Sequence, residues 1–234
     1  MKPILFNTEM VKAILNGKKT VTRRVVKPQP MCYGTNTTIE PHNNDFFLSA
    51  ERRWLRCRIC GNDPEYSREG SNISHHWNSP YDLGDILYVR ETWCSAYDGE
   101  RYFYRADKHT RREEKQFLDY DDVRWSPSIH MPKEAARIFL RVTDIRVERL
   151  QEMPHDAPKK EGIHYCECPD GFTWNSHTTM QDCYINPMGA MKALWNSTVK
   201  KSDLETYDWD ANPWVWVIEF ERISREEAEK EEND

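Results

Sequence analysis

The chain has 234 residues, 38% of them hydrophobic and 31% charged, and its net charge of −6 excludes a polycation of the kind that coats nucleic acid. No apolar run approaches the ~20 residues that a membrane helix needs, and the first six residues lack the apolar core of a signal peptide. We therefore expect a cytoplasmic protein without a membrane partner. Seven cysteines in such a chain indicate reduced thiols or metal ligands, not a disulfide framework.

The N-terminal region, residues 1–30, combines a short helix with a basic strand. Apolar residues at helical spacing follow a good N-cap, Thr8, and predict a helix over 9–16 that Gly17 can end. Residues 18–26 are rich in Thr and Val and predict a turn that leads into a strand. Because basic residues dominate this region, it can bind an anion locally although the whole chain is acidic.

Residues 31–79 differ in character from the rest and are interpreted as an insertion. They are rich in Asn, Ser, Gly, His and Cys and show little periodicity. Cys57 and Cys60 have the spacing and trailing glycine of a zinc knuckle, which is half of a zinc site. The pair either holds a structural zinc or remains two plain thiols. Further ligands would come from Cys32, His75, His76, Cys166 or Cys168.

The remaining elements predict an α+β protein. Strands are predicted at 86–92, 102–105, 138–147 and 214–221, and helices at 132–136, 157–163 and 188–195. About five to six short strands without regular βαβ alternation favour a small barrel or curled sheet with short flanking helices. In the last strand, Trp214 and Trp216 share a face and are expected in the core. The acidic tail, 224–234, is interpreted as a frayed, solvated helix end.

One run of residues carries most of the chemistry. Residues 17–24, Gly-Lys-Lys-Thr-Val-Thr-Arg-Arg, place two hydroxyls, two ammonium groups and two guanidinium groups directly after a helix. Such a cluster can bind a phosphate or polarise a carbonyl. A lysine desolvated among cations can lose its proton near neutral pH and act as a base toward a nearby Thr hydroxyl. The alternative is a solvated basic strand edge.

Three stretches carry a resemblance to a known family. They are Gly-x-Lys-Thr-x-Thr-x-Arg at 17–24, Gly-Asp-Ile-Leu-Tyr-Val-Arg-Glu at 84–91, and the closing strand Trp-Val-Trp-Val-Ile-Glu-Phe at 214–220. The chain resembles the ASCH domain family, and residues 128–133 with the strand after them resemble the longer form found in phage and prophage genomes. This resemblance implies a small PUA-like β-barrel formed by residues 1–30 and 80–223, with 31–79 inserted into it.

The resemblance also implies an activity. Some small ASCH members are amidohydrolases that remove the acetyl group of N4-acetylcytidine with a Lys, a Thr and a Glu. Lys19 and Thr22 match the first two, and Glu161 is the match for the third, with Glu91 as the runner-up. The implied reaction is attack by Thr22 on the amide after Lys19 takes its proton.

A cleft facing a nucleoside or RNA is the partner site that the resemblance implies, and catalysis would need no cofactor. The expected ligand-binding residues are Thr20, Arg23, Arg24, Arg90, Glu91 and Trp93. A non-catalytic module that binds RNA or modified nucleic acid would use the same cleft. A nuclease is less favoured, because the sequence shows no paired histidines or acidic metal cluster.

Overall fold

A computed structural model describes residues 1–30, 46–48, 54–57, 77–95, 101–107, 124–168, 171–175 and 183–233. These residues form thirteen strands: β1 (Lys2–Leu5), β2 (Val21–Val25), β3 (Phe46–Leu48), β4 (Trp54–Cys57), β5 (Trp77–Asn78), β6 (Ile86–Arg90), β7 (Trp93–Ser95), β8 (Tyr102–Tyr104), β9 (Phe139–Arg149), β10 (His164–Cys168), β11 (Gly171–Asn175), β12 (Cys183–Tyr184) and β13 (Trp214–Ile223). The α-helices are α1 (Thr8–Leu15), α2 (Ala157–Lys160), α3 (Pro187–Thr198), α4 (Leu204–Tyr207) and α5 (Arg225–Asn233). Single 3-10 turns lie at Ser128–His130, Lys133–Ala135, Leu150–Glu152 and Lys201–Asp203.

A five-stranded sheet organises the fold, and the protein is mixed α+β as predicted. The strand order is β1-β6-β9-β13-β2, with β1 parallel to β6 and the other pairs antiparallel. No ladder in the described part of the chain joins β1 to β2, so the sheet is not closed into a barrel. The two edges nevertheless approach each other, because Arg24 Nη2 on β2 donates to the carbonyl of Leu5 on β1 at 2.8 Å.

The final strand lies between two apolar clusters. Trp214 and Trp216 are 7% and 3% exposed and pack with α1, which confirms that they belong to the core. The alternate residues Val215 and Val217 are fully buried and pack toward α3. Successive side chains on a strand point to opposite faces, so β13 buries both of its faces and holds the two layers together.

Helix α1 confirms the predicted helix to within one residue at each end. Its N-cap is Asn7 rather than Thr8, because the Asn7 side chain accepts the amide of Met10 at 2.8 Å while Thr8 is already helical. Gly17 follows the helix at φ +67°, a left-handed conformation that glycine adopts at little cost. After this turn the chain continues into β2.

The acidic tail is a helix, α5, whose described side chains are exposed apart from Ala228, and it docks on the body of the protein instead of fraying. Ala228 on α5 is fully buried against the end of the sheet. Two acidic residues of the helix form ion pairs with the body of the protein: Glu231 with Arg141, and Glu232 with Lys133 at 2.7 Å. Burial of one small apolar residue and paired carboxylates hold the helix in place despite its charge.

The predicted insertion contributes a second, three-stranded sheet of order β3-β4-β5, and β10, β11 and β12 form a third. Trp77, at the start of β5, is 9% exposed and belongs to the main core. Cys57 is the last residue of β4, and Cys60 lies outside the described residues, so the zinc prediction stays a prediction. Among the helices that the structure describes, none combines the length and apolarity required to cross a membrane.

Candidate functional site

The turn after α1 brings Lys19 against the end of α2. The amide of Lys19 donates to the carbonyl of Ala13 at 3.1 Å, and Lys19 forms an isolated antiparallel bridge with Glu161. Glu161 is the C-cap of α2 and does not lie within the helix, because Gly162 adopts φ +97° and ends it. A Cβ added at Gly162 would stand 2.8 Å from the Cβ of Ala13. Glycine at this position therefore lets α1 and Glu161 pack closely around Lys19.

The Lys19 side chain is completely buried and makes three polar contacts. Its Nζ donates to Glu161 Oε2 in a short ion pair, to the carbonyl of Val21 at 2.8 Å and to the carbonyl of Glu161 at 3.2 Å. An ammonium group has three protons. In this arrangement each of them has an acceptor, which satisfies the polar group that burial would otherwise penalise.

Arg23 joins this pair to a second carboxylate. Its Nη1 donates to Glu161 Oε1 at 3.0 Å, while Nε and Nη2 donate to Glu148 Oε1 at 3.0 and 2.8 Å. Glu148 lies on β9, and its other oxygen is 3.5 Å from Arg146 Nε. Lys19, Arg23, Glu161 and Glu148 thus form a buried cluster of two cations and two anions.

The environment shifts the protonation equilibria of this cluster. Burial lowers the pKa of the Lys19 ammonium; Glu161 opposes this change, and Arg24 and Arg23 add to it. Burial disfavours the Glu161 carboxylate, but Lys19 and Arg23 outweigh that effect and hold its pKa below the ordinary value. Glu161 is therefore an anion at neutral pH, and Lys19 holds its proton less strongly than a free lysine does.

A cavity of about 250 Å³ opens beside β2, next to the buried cluster. Its polar wall includes Thr22, Arg24 and Glu161, and α3 provides an apolar wall that includes Leu194 and Trp195. Small-molecule sites are mostly apolar clefts of roughly 300–1,000 Å³ with a few convergent polar groups. The cavity is slightly smaller than that range, which suits a small ligand.

Two polar side chains of β2 have capacity for a ligand. Thr22 is 3% exposed and lines the cavity, and its hydroxyl makes no hydrogen bond with any residue that the structure describes. The Arg24 guanidinium donates to the carbonyl of Leu5 and lies 5.5 Å from the centre of the Phe6 ring. No carboxylate in the described ranges is within ion-pair distance of Arg24. A guanidinium has five N–H donors, so Arg24 can still bind a carbonyl or phosphate oxygen.

The other predicted ligand-binding residues lie elsewhere. Thr20 is exposed, and its backbone joins Lys160 and Phe220 by hydrogen bonds of 2.9 Å. Arg90 donates to the carbonyl of Met131 at 2.9 Å. None of the residues Thr20, Arg90, Glu91 and Trp93 lines the cavity.

Glu91 and Trp93 belong to a different part of the protein. Glu91 is 1% exposed and forms a two-pronged ion pair with Arg137 at 2.9 and 3.1 Å. Burial raises its pKa, and Arg137 opposes that change. The Trp93 ring packs edge-on against Tyr102, with centroids 5.7 Å apart. The structure thus gathers Lys19, Thr22, Arg23, Arg24 and Glu161 at one site and leaves this second group apart.

Sequence reasoning missed Glu148 and the apolar wall of α3. Glu148 lies in a strand where charged and apolar residues alternate, so it is indistinguishable in the sequence from a solvated strand residue. Leu194 and Trp195 belong to a helix whose apolar pattern predicts burial without indicating a ligand. The roles of Glu148 and of the α3 wall are visible only in the pairing and packing of the folded protein.

Comparisons of the chain with family models, with curated proteins and with solved structures found no match in any of the three. The resemblance to the ASCH domain family therefore stays a prediction that depends on residues 17–24, 84–91 and 214–220.

Proposed function

We propose that this protein is an amidohydrolase that removes an acyl group from a modified cytidine, as a nucleoside or within RNA. The observation that carries the proposal is the buried Lys19–Glu161 pair, whose Glu161 lines a cavity together with Thr22 and Arg24. We also propose that the open, curled sheet is a form of the PUA-like barrel of the ASCH family. The approach of its two edges through Arg24 supports this relation.

The cavity offers complementary surfaces to a pyrimidine. Leu194 and Trp195 provide apolar area for the face of the base, and Arg24 provides donors for its ring carbonyl or for a phosphate. Thr22 lies on the polar wall, and its hydroxyl is the nucleophile for the acyl carbon that is attached to the exocyclic nitrogen.

The proposed reaction has two steps. Lys19 first releases one proton to solvent; Thr22 Oγ1 then attacks the acyl carbon while the neutral Lys19 amine takes the hydroxyl proton, and the C–N bond breaks as that proton passes to the exocyclic nitrogen. Cytidine leaves, and the acyl group remains as an ester on Thr22. Water then attacks the ester, its proton returns to the Thr22 oxygen through Lys19, and the carboxylic acid is released. Glu161 holds Lys19 beside the reacting oxygen throughout.

The arrangement of Lys19 sets a condition on this chemistry. Its three acceptors belong to Val21 and Glu161, so the amine must exchange one of them for the Thr22 hydroxyl when substrate binds. Hydrogen bonds of catalytic groups are often completed only in the complex with substrate. The carbonyl of Val21, the residue next to Thr22, is the acceptor that we expect Lys19 to leave.

Product analysis with Thr22→Val tests the proposal. Valine keeps the shape of threonine and removes the nucleophile, so acetate release from N4-acetylcytidine should fall to the uncatalysed background, whereas Thr22→Ser should retain part of the rate. During turnover of the parent, the peptide that contains Thr22 should carry one acetyl group. Thr143→Val, at an exposed position of β9, is the matched control and should behave as the parent.

A second function is favoured by one observation, the complete hydrogen bonding of the Lys19 ammonium. A group so satisfied can serve as a fixed structural cation, and the cavity would then belong to a non-catalytic module that binds RNA or a modified nucleoside. In that case no acylated cytidine releases acetate, and Thr22→Val binds the nucleoside nearly as tightly as the parent. Arg24→Gln should weaken binding under either function, and Arg222→Gln, on an exposed part of β13, should not.

A further inference from the structure

We propose that Arg23 and Glu148 are positioning residues that set the place and the charge balance of the Lys19–Glu161 pair, so that Glu148 influences Lys19 through Arg23. The inference deepens the proposed function and depends on it for the meaning of the reaction. The electrostatic coupling among Lys19, Arg23, Glu148 and Glu161 can be measured whether or not the protein turns over a substrate.

The geometry of Arg23 carries the first step. A guanidinium is a rigid planar fork, so fixing one of its edges fixes the direction of the other. Glu148 Oε1 accepts from both Nε and Nη2, which leaves Nη1 to hold Glu161 Oε1 at 3.0 Å. With that oxygen occupied, the other oxygen of Glu161, Oε2, is directed to Lys19 Nζ.

Burial strengthens the interactions of Arg23 with Glu148 and Glu161. The Arg23 and Glu161 side chains are 1% and 4% exposed, and Glu148 is 14% exposed. Charges so shielded from water interact more strongly than surface pairs and are less screened by salt. A change in the charge of Glu148 is therefore transmitted to Lys19 rather than absorbed by solvent.

The signs of the two effects are opposite. Without the negative charge of Glu148, the positive charge of Arg23 is uncompensated and draws Glu161 away from Lys19. Lys19 should then release its proton at lower pH. Without the positive charge of Arg23, Glu161 interacts with Lys19 alone, and Lys19 should hold its proton to higher pH.

Other charges face this cluster and stay constant in the comparison. Arg24 adjoins it from β2, Arg146 approaches Glu148 from β9, and Lys160 with its partner Asp156 lies on α2. They are present equally in parent and variants, so they do not contribute to the difference.

The test follows Lys19 directly by NMR of protein labelled with ¹³C at the lysine side chains, titrated with base. Glu148→Gln should lower the Lys19 midpoint and Arg23→Gln should raise it, each by about one pH unit. Arg23→Lys retains the charge and should move the midpoint less than Arg23→Gln does. Glu231→Gln, an exposed ion-pair partner of Arg141, is the control and should leave Lys19 unchanged.

A merely structural role predicts a different pattern. Both variants would then lose stability, while the Lys19 midpoint would stay in place or move in the same direction in both, and either result overturns the proposal. If the protein releases acetate, the pH profile of kcat should move with the NMR midpoint in each variant. If it releases none, the amidohydrolase proposal fails while the opposite NMR shifts still establish the linkage.

Discussion

Glu161→Gln is the substitution that perturbs the buried cluster most cleanly. The change keeps the size of the side chain and removes one negative charge, which leaves Lys19 and Arg23 facing each other with Glu148 as their carboxylate. Lys19 has a side-chain exposure of 0% and Glu161 of 4%, so water does not replace the lost anion.

The expected loss of stability is large. Breaking a buried ion pair by removing one partner costs about 3–5 kcal/mol. Because the amide oxygen of Gln can still accept a hydrogen bond, we expect a cost of about 3 kcal/mol. With a urea dependence of about 2 kcal/mol per molar, the unfolding midpoint should fall by about 1.5 M. Glu231→Gln removes an exposed partner of Arg141, 39% exposed, and should cost less than about 1 kcal/mol.

Stability should also become more dependent on pH in this variant. Without Glu161, the pKa of folded Lys19 falls further below the ~10.4 of a free lysine, so the unfolded chain binds more protons between those two values. Stability then rises with pH across that window, more steeply than in the parent. Urea titrations at several pH values measure both effects. A midpoint shift no larger than that of Glu231→Gln would refute the burial argument.

Three further predictions concern other features. Gly162→Ala should destabilise the protein by about 2–3 kcal/mol, because a positive φ and a tight contact with Ala13 act together. Gly84→Ala, at φ +81° with open space around it, should cost only about 1 kcal/mol, and thermal unfolding of the two variants measures the difference. The pKa of Glu161 is held below its ordinary value, so the stabilisation that its carboxylate provides is complete above about pH 4.5 and should be lost as pH falls through the folded pKa. The stability of Glu161→Gln should not show this loss in an acid titration. Metal analysis of protein purified without chelator should find about one zinc per chain if Cys57 and Cys60 are ligands, and a metal-free result would exclude that site.

Local patterns in the sequence predicted the strands β2, β6, β8, β9 and β13, but not the other eight strands that the structure describes. The strand predicted over 138–147 is β9, and the one predicted over 214–221 is β13 with two more residues, because alternation on a strand and caps on a helix are short-range signals. The first strand, β1, was not predicted. It is only four residues long, contains Pro3 and is defined by parallel pairing with β6, which no local pattern reveals.

The site was predictable in part, because the motif at 17–24 already contains Lys19, Thr22, Arg23 and Arg24. Glu161 was reached through the resemblance, and the structure places it against Lys19 and, as was not predicted, against Arg23. The division of labour between the two arginines could not be predicted. Arg23 and Arg24 are neighbours in the sequence and both line the cavity, yet Arg23 is bound to two carboxylates whereas Arg24 donates to the carbonyl of Leu5.

The bridge between Lys19 and Glu161 joins residues 142 positions apart, and β2 is held in the sheet by β13 at the other end of the chain. Contacts of such long sequence separation require the closure of a large loop, which makes them late events in folding. The motif strand, although it lies near the start of the sequence, therefore acquires its functional arrangement only when the last strand is in place. Ligand binding or turnover consequently reports on complete folding of the chain, and a shortened protein that ends before β13 should retain the motif residues but have no site.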